Sequence, residues 1–184
     1  MKKAYVFLAE GFEEIEAITI VDVMRRAEIP VLMVSITGKK EVTGSHDITL
    51  KTDMMFEETG YSDAEILILP GGMPGTRNLN EHKGLKELLL KFNNSKQKIA
   101  AICAAPLVLG GLKILEGHDA VCFPGYEKQL LGANLKYDAT RKSGNIITGR
   151  GPGSAFDFSL TIVSEIKGND KADQLARAML VQTW

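Results

Sequence analysis

The sequence predicts a doubly wound α/β sandwich, a mostly parallel sheet with helices on both faces. Two observations carry that expectation. The strongest strand candidates are "KAYVFLA" at 3–9, "EILILPGG" at 65–72 and "KIAAI" at 98–102. They are apolar runs without polar alternation, the pattern of strands buried on both faces. Helix-length segments separate them, so strands and helices alternate along the chain.

Taken in order, the strand at 3–9 precedes a helix over 13–27, and "VLMVSI" at 31–36 is a second strand entered through Pro30. Residues 38–50 alternate weakly around Gly44 and predict a small hairpin. The strand at 65–72 ends in a glycine pair, and a helix over 80–92 carries Leu85, Leu88 and Leu89 on one side. The strand at 98–102 leads through Cys103 into another helix. Short strands near 120–123 and 145–148 precede helices over 154–166 and 170–181. No internal repeat, linker or low-complexity tract interrupts the pattern, so residues 1–184 read as a single domain.

A chain of 184 residues with 45% hydrophobic and 24% charged residues can bury a core without metals or disulfides. Twenty-two basic and 23 acidic residues leave a net charge of -1. That balance offers no field for nucleic acid or an anionic membrane, so small ligands are the expected partners. The basic start "MKK" is followed by an apolar stretch too short for a signal peptide, soon met by Glu10 and Glu13. No run approaches membrane-spanning length. Cys103 and Cys122 form no C-x-x-C site, and the expected compartment is a reducing cytoplasm. No spacing implies a metal or an organic cofactor.

In a doubly wound sheet, ligands bind beyond the carboxyl ends of the strands. Three suggestive segments fall there: 10–16, 70–75 and 103–106. Cys103 is followed by Ala104, Ala105 and Pro106, and proline favours the first turn of a helix. A thiol at a helix N-terminus is expected to ionise more readily, because the thiolate is favoured by free N–H groups. A pKa moved from ~8.5 to ~5.5 would raise the thiolate fraction at neutral pH from about 3% to about 97%. The alternative is a buried cysteine used as packing. Cys122, before Phe123 and Pro124, reads as a core residue within a strand.

On a helical wheel, Ala17, Ile20, Val21, Val23, Met24 and Ala27 share one arc, and Glu16 falls inside it. Burial there would favour the protonated carboxyl, which can donate a hydrogen bond to a neighbouring anion. The plainer reading is a satisfied carboxylate at a helix start. Glu13 faces the same arc but stands where it could cap the helix, and Glu14 reads as a solvated surface residue. Gly71 and Gly72 would let backbone approach a ligand, and their N–H groups with that of Ala104 could form an oxyanion hole. An ordinary strand-to-loop turn is the alternative. "GRGPGSAFDF" at 149–158 departs from the phosphate-loop pattern and reads as entry into a helix, with Arg150 a candidate electrostatic contributor. None of His46, His82 and His118 adjoins Cys103 in sequence, which leaves a spatial Cys–His pair open.

"AEGFEEIEAITIVDVMRRA", "LILPGG", "IAAICAAP" and "GRGPGSAFDFSLTIV" resemble, in order and spacing, the ThiJ/PfpI superfamily, in the branch of YajL and the parkinsonism-associated protein deglycase. The resemblance covers essentially the whole chain. It implies a flavodoxin-like, class I glutamine amidotransferase-like fold, a homodimer, an oxidation-prone nucleophile at Cys103 and a protonated Glu16 hydrogen-bonded to it. The backbone pocket it implies is Gly71, Gly72 and Ala104. The anion-binding positions near the dimer seam correspond to Arg26 and His46, the second a replacement for arginine.

The resemblance further implies glutathione-independent glyoxalase or deglycase chemistry on methylglyoxal, glyoxal or their early adducts on proteins or nucleotides, without a cofactor. The alternative role is a redox sensor or oxidative-stress chaperone that works through Cys103 oxidation. Three departures bear on this. Phe123 stands where several members carry a histidine near the nucleophile, which leaves proton transfer to Glu16 or water. Ala104 replaces the histidine that follows the cysteine in the PfpI-type peptidases, so protease activity is not expected. The H-x-E motif of the amidotransferases is absent.

Overall fold

The computed structural model describes residues 2–181. Its main sheet contains β1 (Lys3–Leu8), β2 (Val31–Ser35), β5 (Met54–Met55), β6 (Ala64–Leu69), β7 (Lys98–Ile102), β10 (Thr140–Ser143) and β11 (Ile146–Gly149). The spatial order is β10-β11-β7-β6-β1-β2-β5. Every pair is parallel except β10–β11. A separate ribbon joins β3 (Glu41–Thr43) to β4 (Thr49–Lys51), and a third small sheet joins β8 (Asp119–Ala120) to β9 (Asn134–Leu135). The helices are α1 (Glu14–Arg26), α2 (Gly75–Glu81), α3 (Lys83–Asn94), α4 (Pro106–Gly111), α5 (Ala155–Lys167) and α6 (Asn169–Ala178).

Period-two geometry explains why the strands are apolar throughout. Ala4, Val6, Leu8, Ile66, Ile68, Ala100 and Ile102 pack with side chains of α1, α5 and α6. Their sequence neighbours Tyr5, Phe7, Leu67, Leu69, Ile99 and Ala101 pack on the other face with α3 and α4. Each strand residue thus serves one of two cores, and fully burying each large aliphatic side chain stabilises the fold by about 1.5–3 kcal/mol.

The expected helix over 80–92 is two helices. His82 breaks them with extended backbone, and its Nδ1 accepts a hydrogen bond from the Leu85 N–H at 3.0 Å, which caps α3. The expected strand at 120–123 ends at Ala120, so Cys122 lies in the following loop, buried among residues of the α3–α4 side. β10, "TRKS", is an edge strand whose polar sequence carries no apolar signal. The hairpin expected at 38–50 is the β3–β4 ribbon.

β1 lies between β2 and β6, and the chain runs from β1 outward to β2 and β5 before returning to β6 on the other side. This is a topological switch point, where the strand ends leave a crevice for a ligand. The carboxyl ends of β1, β6 and β7 bring residues 9–16, 70–72 and 103 to that crevice.

Candidate active site

Cys103 follows β7 with φ of 65°, a left-handed conformation that L-residues other than Asn and Asp rarely adopt. Main-chain bonds hold it there: its N–H donates to the Gly149 carbonyl at 2.9 Å, and its carbonyl accepts from the Phe123 N–H at 2.8 Å. The residue is 8% exposed. Strained backbone over-determined by its surroundings is a recurrent mark of functional sites.

Glu16, from the apolar side of α1, has no exposed surface. Its Oε2 accepts from the Gly71 N–H at 2.7 Å. Oε1 accepts from no described N–H or O–H group, and the carboxyl interacts with the Cys103 thiol beside it. The Gly72 and Ala104 backbone amides favour the charged form of the sulfur. Of the three expected pocket amides, those of Gly72 and Ala104 act on the thiol electrostatically, whereas that of Gly71 is engaged by Glu16. Neither glycine has room for a side chain. A Cβ on Gly71 would stand 2.6 Å from Cys103 Cβ, and one on Gly72, at φ of 91°, would stand 2.3 Å from the Glu13 nitrogen.

Burial pushes Cys103 up to about 12, with the Glu16 charge adding to it, while the Gly72 and Ala104 amides pull the other way. Burial likewise pushes Glu16 up to about 7, against the Gly71 and Cys103 hydrogen bonds. Enclosure beside the Glu16 carboxyl thus opposes the pull that the helix start was expected to exert on the thiol; α4 itself begins only at Pro106. What the geometry builds is a coupled pair that accommodates one negative charge. The remaining proton lies on sulfur or on the carboxyl. On Oε1 it would satisfy the unpartnered oxygen and leave the charge on sulfur, facing two N–H groups.

A cavity of about 450 Å³ opens over the sulfur, lined among others by Glu13, His46, Met73, Phe123, Tyr126 and Pro152. Phe123 stands at this cavity, 42% exposed. The sequence signals for Met73, Tyr126 and Pro152 are weak, since each reaches the cavity from a separate loop. Glu13 makes no capping bond with its side chain. Cys122 and Cys103 are both free, and burial pushes the Cys122 thiol up to about 11.

Glu14 corrects the reading of a solvated surface residue: it is 3% exposed. The turn between β3 and β4 folds over it, and its carboxylate accepts from the His46 N–H at 2.7 Å and lies 2.9 Å from His46 Nδ1. Burial opposes its charge, but the hydrogen bonds from His46 side chain and backbone outweigh that and hold it below the usual carboxylate range. Hydrogen bonding to Glu14, with the charges of Glu13 and Glu14, raises His46 in turn. Donor atoms of Glu13, Glu14 and His46 lie within 4.8 Å of one another, a set that could hold a metal but is already joined internally. Arg26 lies at the far end of α1, paired with Asp22 at 2.7 Å. Within one chain, the structure does not bring Arg26 and His46 together.

A sheet crevice holding an elbow cysteine, a buried carboxyl and two inward amides defines a flavodoxin-like α/β protein organised around one thiol. The family model described as the DJ-1/PfpI family matches residues 2–165, and the chain belongs to that family. It is 39% identical to the Parkinson disease protein 7 homolog of Danio rerio over 185 residues, with 98% of each chain covered. Among solved structures it is similar to oxidized Toxoplasma gondii DJ-1, with TM-score 0.95 and 29% identity over 100% of both chains. A cysteine-to-alanine mutant of a DJ-1 superfamily protein from Salmonella typhimurium gives TM-score 0.94 and 30% identity over the same coverage. Among the described residues no helix is long and apolar enough to cross a membrane.

Proposed function

We propose that the protein is a cysteine-dependent enzyme for reactive 2-oxoaldehydes or their early adducts, which it converts to 2-hydroxy acids. The observation that carries this reading is the Cys103 sulfur placed between the Glu16 carboxyl and the Gly72 and Ala104 amides. In methylglyoxal, the thiolate adds to the aldehyde carbon and the carbonyl oxygen takes the charge, facing the two amides. Protonation of that oxygen gives a hemithioacetal. Glu16 then takes the proton from the former aldehyde carbon and returns one to the adjacent ketone carbon. The proton of the C1 hydroxyl passes to the C2 oxygen, so the C2 carbonyl becomes the hydroxyl and C1 becomes a thioester. Water attacks the thioester, and lactate leaves with the thiol restored. No external oxidant or reductant enters.

Cys103→Ser should abolish lactate formation, and Glu16→Gln should lower kcat by at least a hundredfold while both variants stay folded. Lactate production by either variant near the wild-type rate would refute the assignment.

A second reading is a redox sensor in which Cys103 oxidises and a protonated Glu16 hydrogen-bonds the product. Similarity to an oxidized relative favours it. Turnover with methylglyoxal separates the two readings. The homodimer belongs to the same proposal: Ile15 and Ile18 on α1 are exposed, as is Ile48, whose N–H donates to Glu14 of that helix, and exposed apolar side chains on one element suit a second copy.

A further inference from the structure

The "GRGPG" segment and Phe123 are the two features near the site that thiol chemistry leaves unused. Beside the Cys103 cavity lies a second, of about 440 Å³, and Phe123 and Pro152 line both. A three-carbon dicarbonyl fills a small part of this space, which is of the size that takes much larger ligands. Tyr137, 67% exposed, forms another part of the wall. Arg150 lies over its ring, 5.9 Å from guanidinium carbon to centroid, and donates to the Tyr137 carbonyl.

Among the described residues no carboxylate lies within ion-pair distance of Arg150. Such a cation is placed to meet an anion from solution. It also stands close to the thiol along the backbone. Arg150 follows Gly149, whose carbonyl accepts the Cys103 N–H at 2.9 Å. The cation and the nucleophile therefore hang from adjacent strand ends. Two aromatic side chains in the same wall offer faces for a planar ring.

We propose that this second cavity is a subsite for an aromatic anion, so that the preferred substrates are arylglyoxals bearing an acidic group. The ring lies against Phe123 and Tyr137, the carboxylate pairs with Arg150, and the aldehyde reaches Cys103. The turnover part rests on the thiol reading above; the binding part does not.

The first test is protection of Cys103 from iodoacetamide by 2-naphthoate, which needs no turnover. Protection in wild type, lost in Arg150→Gln and Tyr137→Ala but kept in Arg150→Lys, is the expected result. Absence of protection in wild type, or equal protection in Arg150→Gln, overturns the subsite. The second test compares initial kcat/KM for 4-carboxyphenylglyoxal and phenylglyoxal. A preference of about tenfold for the acid, falling toward one in Arg150→Gln, matches one charge-assisted contact. No preference in an active wild type overturns the proposal. If no glyoxal is turned over while naphthoate still protects through Arg150, the enzymatic reading falls and the subsite stands.

Discussion

The Gly71 N–H donates to Glu16 Oε2 at 2.7 Å, so one carboxyl oxygen is fixed while the other has no described N–H or O–H partner. That asymmetry decides where a proton can go. A carboxylate anchored on one side and bare on the other, inside an apolar helix face, is suited to exchange a proton with the sulfur next to it.

The pair should be visible in the pH dependence of Cys103 alkylation by iodoacetamide, read by mass spectrometry beside Cys122. With Glu16 raised to about 7 and the thiol to about 12, the first proton leaves the pair near pH 7. Labelling should rise there to a partial plateau, then rise again at high pH. In Glu16→Gln the step near 7 should vanish. A single later midpoint should remain, below about 12 because the repelling carboxylate is gone. Identical profiles for wild type and Glu16→Gln would rule out the coupling.

Stability should carry the same signature with a definite sign. The folded Glu16 pKa lies above its ordinary value of 4.5, at about 7. Between those values the native state holds the proton that the unfolded chain releases, so stability falls as pH rises. The loss is on the order of 3 kcal/mol at most. Glu16→Gln lacks it. The melting temperature of the variant relative to wild type should therefore be higher at pH 7.5 than at pH 4.5. A difference that does not change with pH would contradict the raised carboxyl.

Gly71→Ala tests the packing of the site. The added methyl would meet Cys103 Cβ at 2.6 Å, Glu16 Oε2 at 2.9 Å and the Ile102 carbonyl at 3.0 Å. Urea denaturation should show a loss of about 1–3 kcal/mol, and the step in Cys103 labelling near pH 7 should shift. Unchanged stability and labelling would mean that the crevice is looser than described.

Ile18→Glu tests the apolar face of α1. Ile18 is 44% exposed, so the change should leave the fold intact while placing a charge at the proposed seam. Sedimentation should find a dimer in the wild type and a monomer in the variant. A monomeric wild type, or a dimer indifferent to the substitution, would remove this face from the interface.

The central strands were legible because burial on both faces demands unbroken apolar runs, and the run at 98–102 coincides with β7. Glu16 was legible for a related reason: a carboxylate within the apolar arc of an amphipathic helix is conspicuous. Glu14 was not, because a wheel reads one helix and its cover comes from a turn some 30 residues away. The break at His82 was hidden because a histidine cap leaves no composition signal, and β10 because an edge strand can be wholly polar. The direction of the thiol shift depends on what encloses the sulfur, which neighbours in sequence do not report.

The elbow that carries Cys103 is held from both sides by main-chain bonds, to Gly149 and from Phe123, and neither uses the sulfur. Position 103 is thus a socket rather than a keystone. A side chain that tolerates the left-handed backbone can be exchanged there while the strand ends keep their places. Asparagine at 103, which accepts such a conformation more readily than most residues, would preserve the crevice while removing its nucleophile. The same scaffold would then serve as a receptor for the ligands that the thiol now meets.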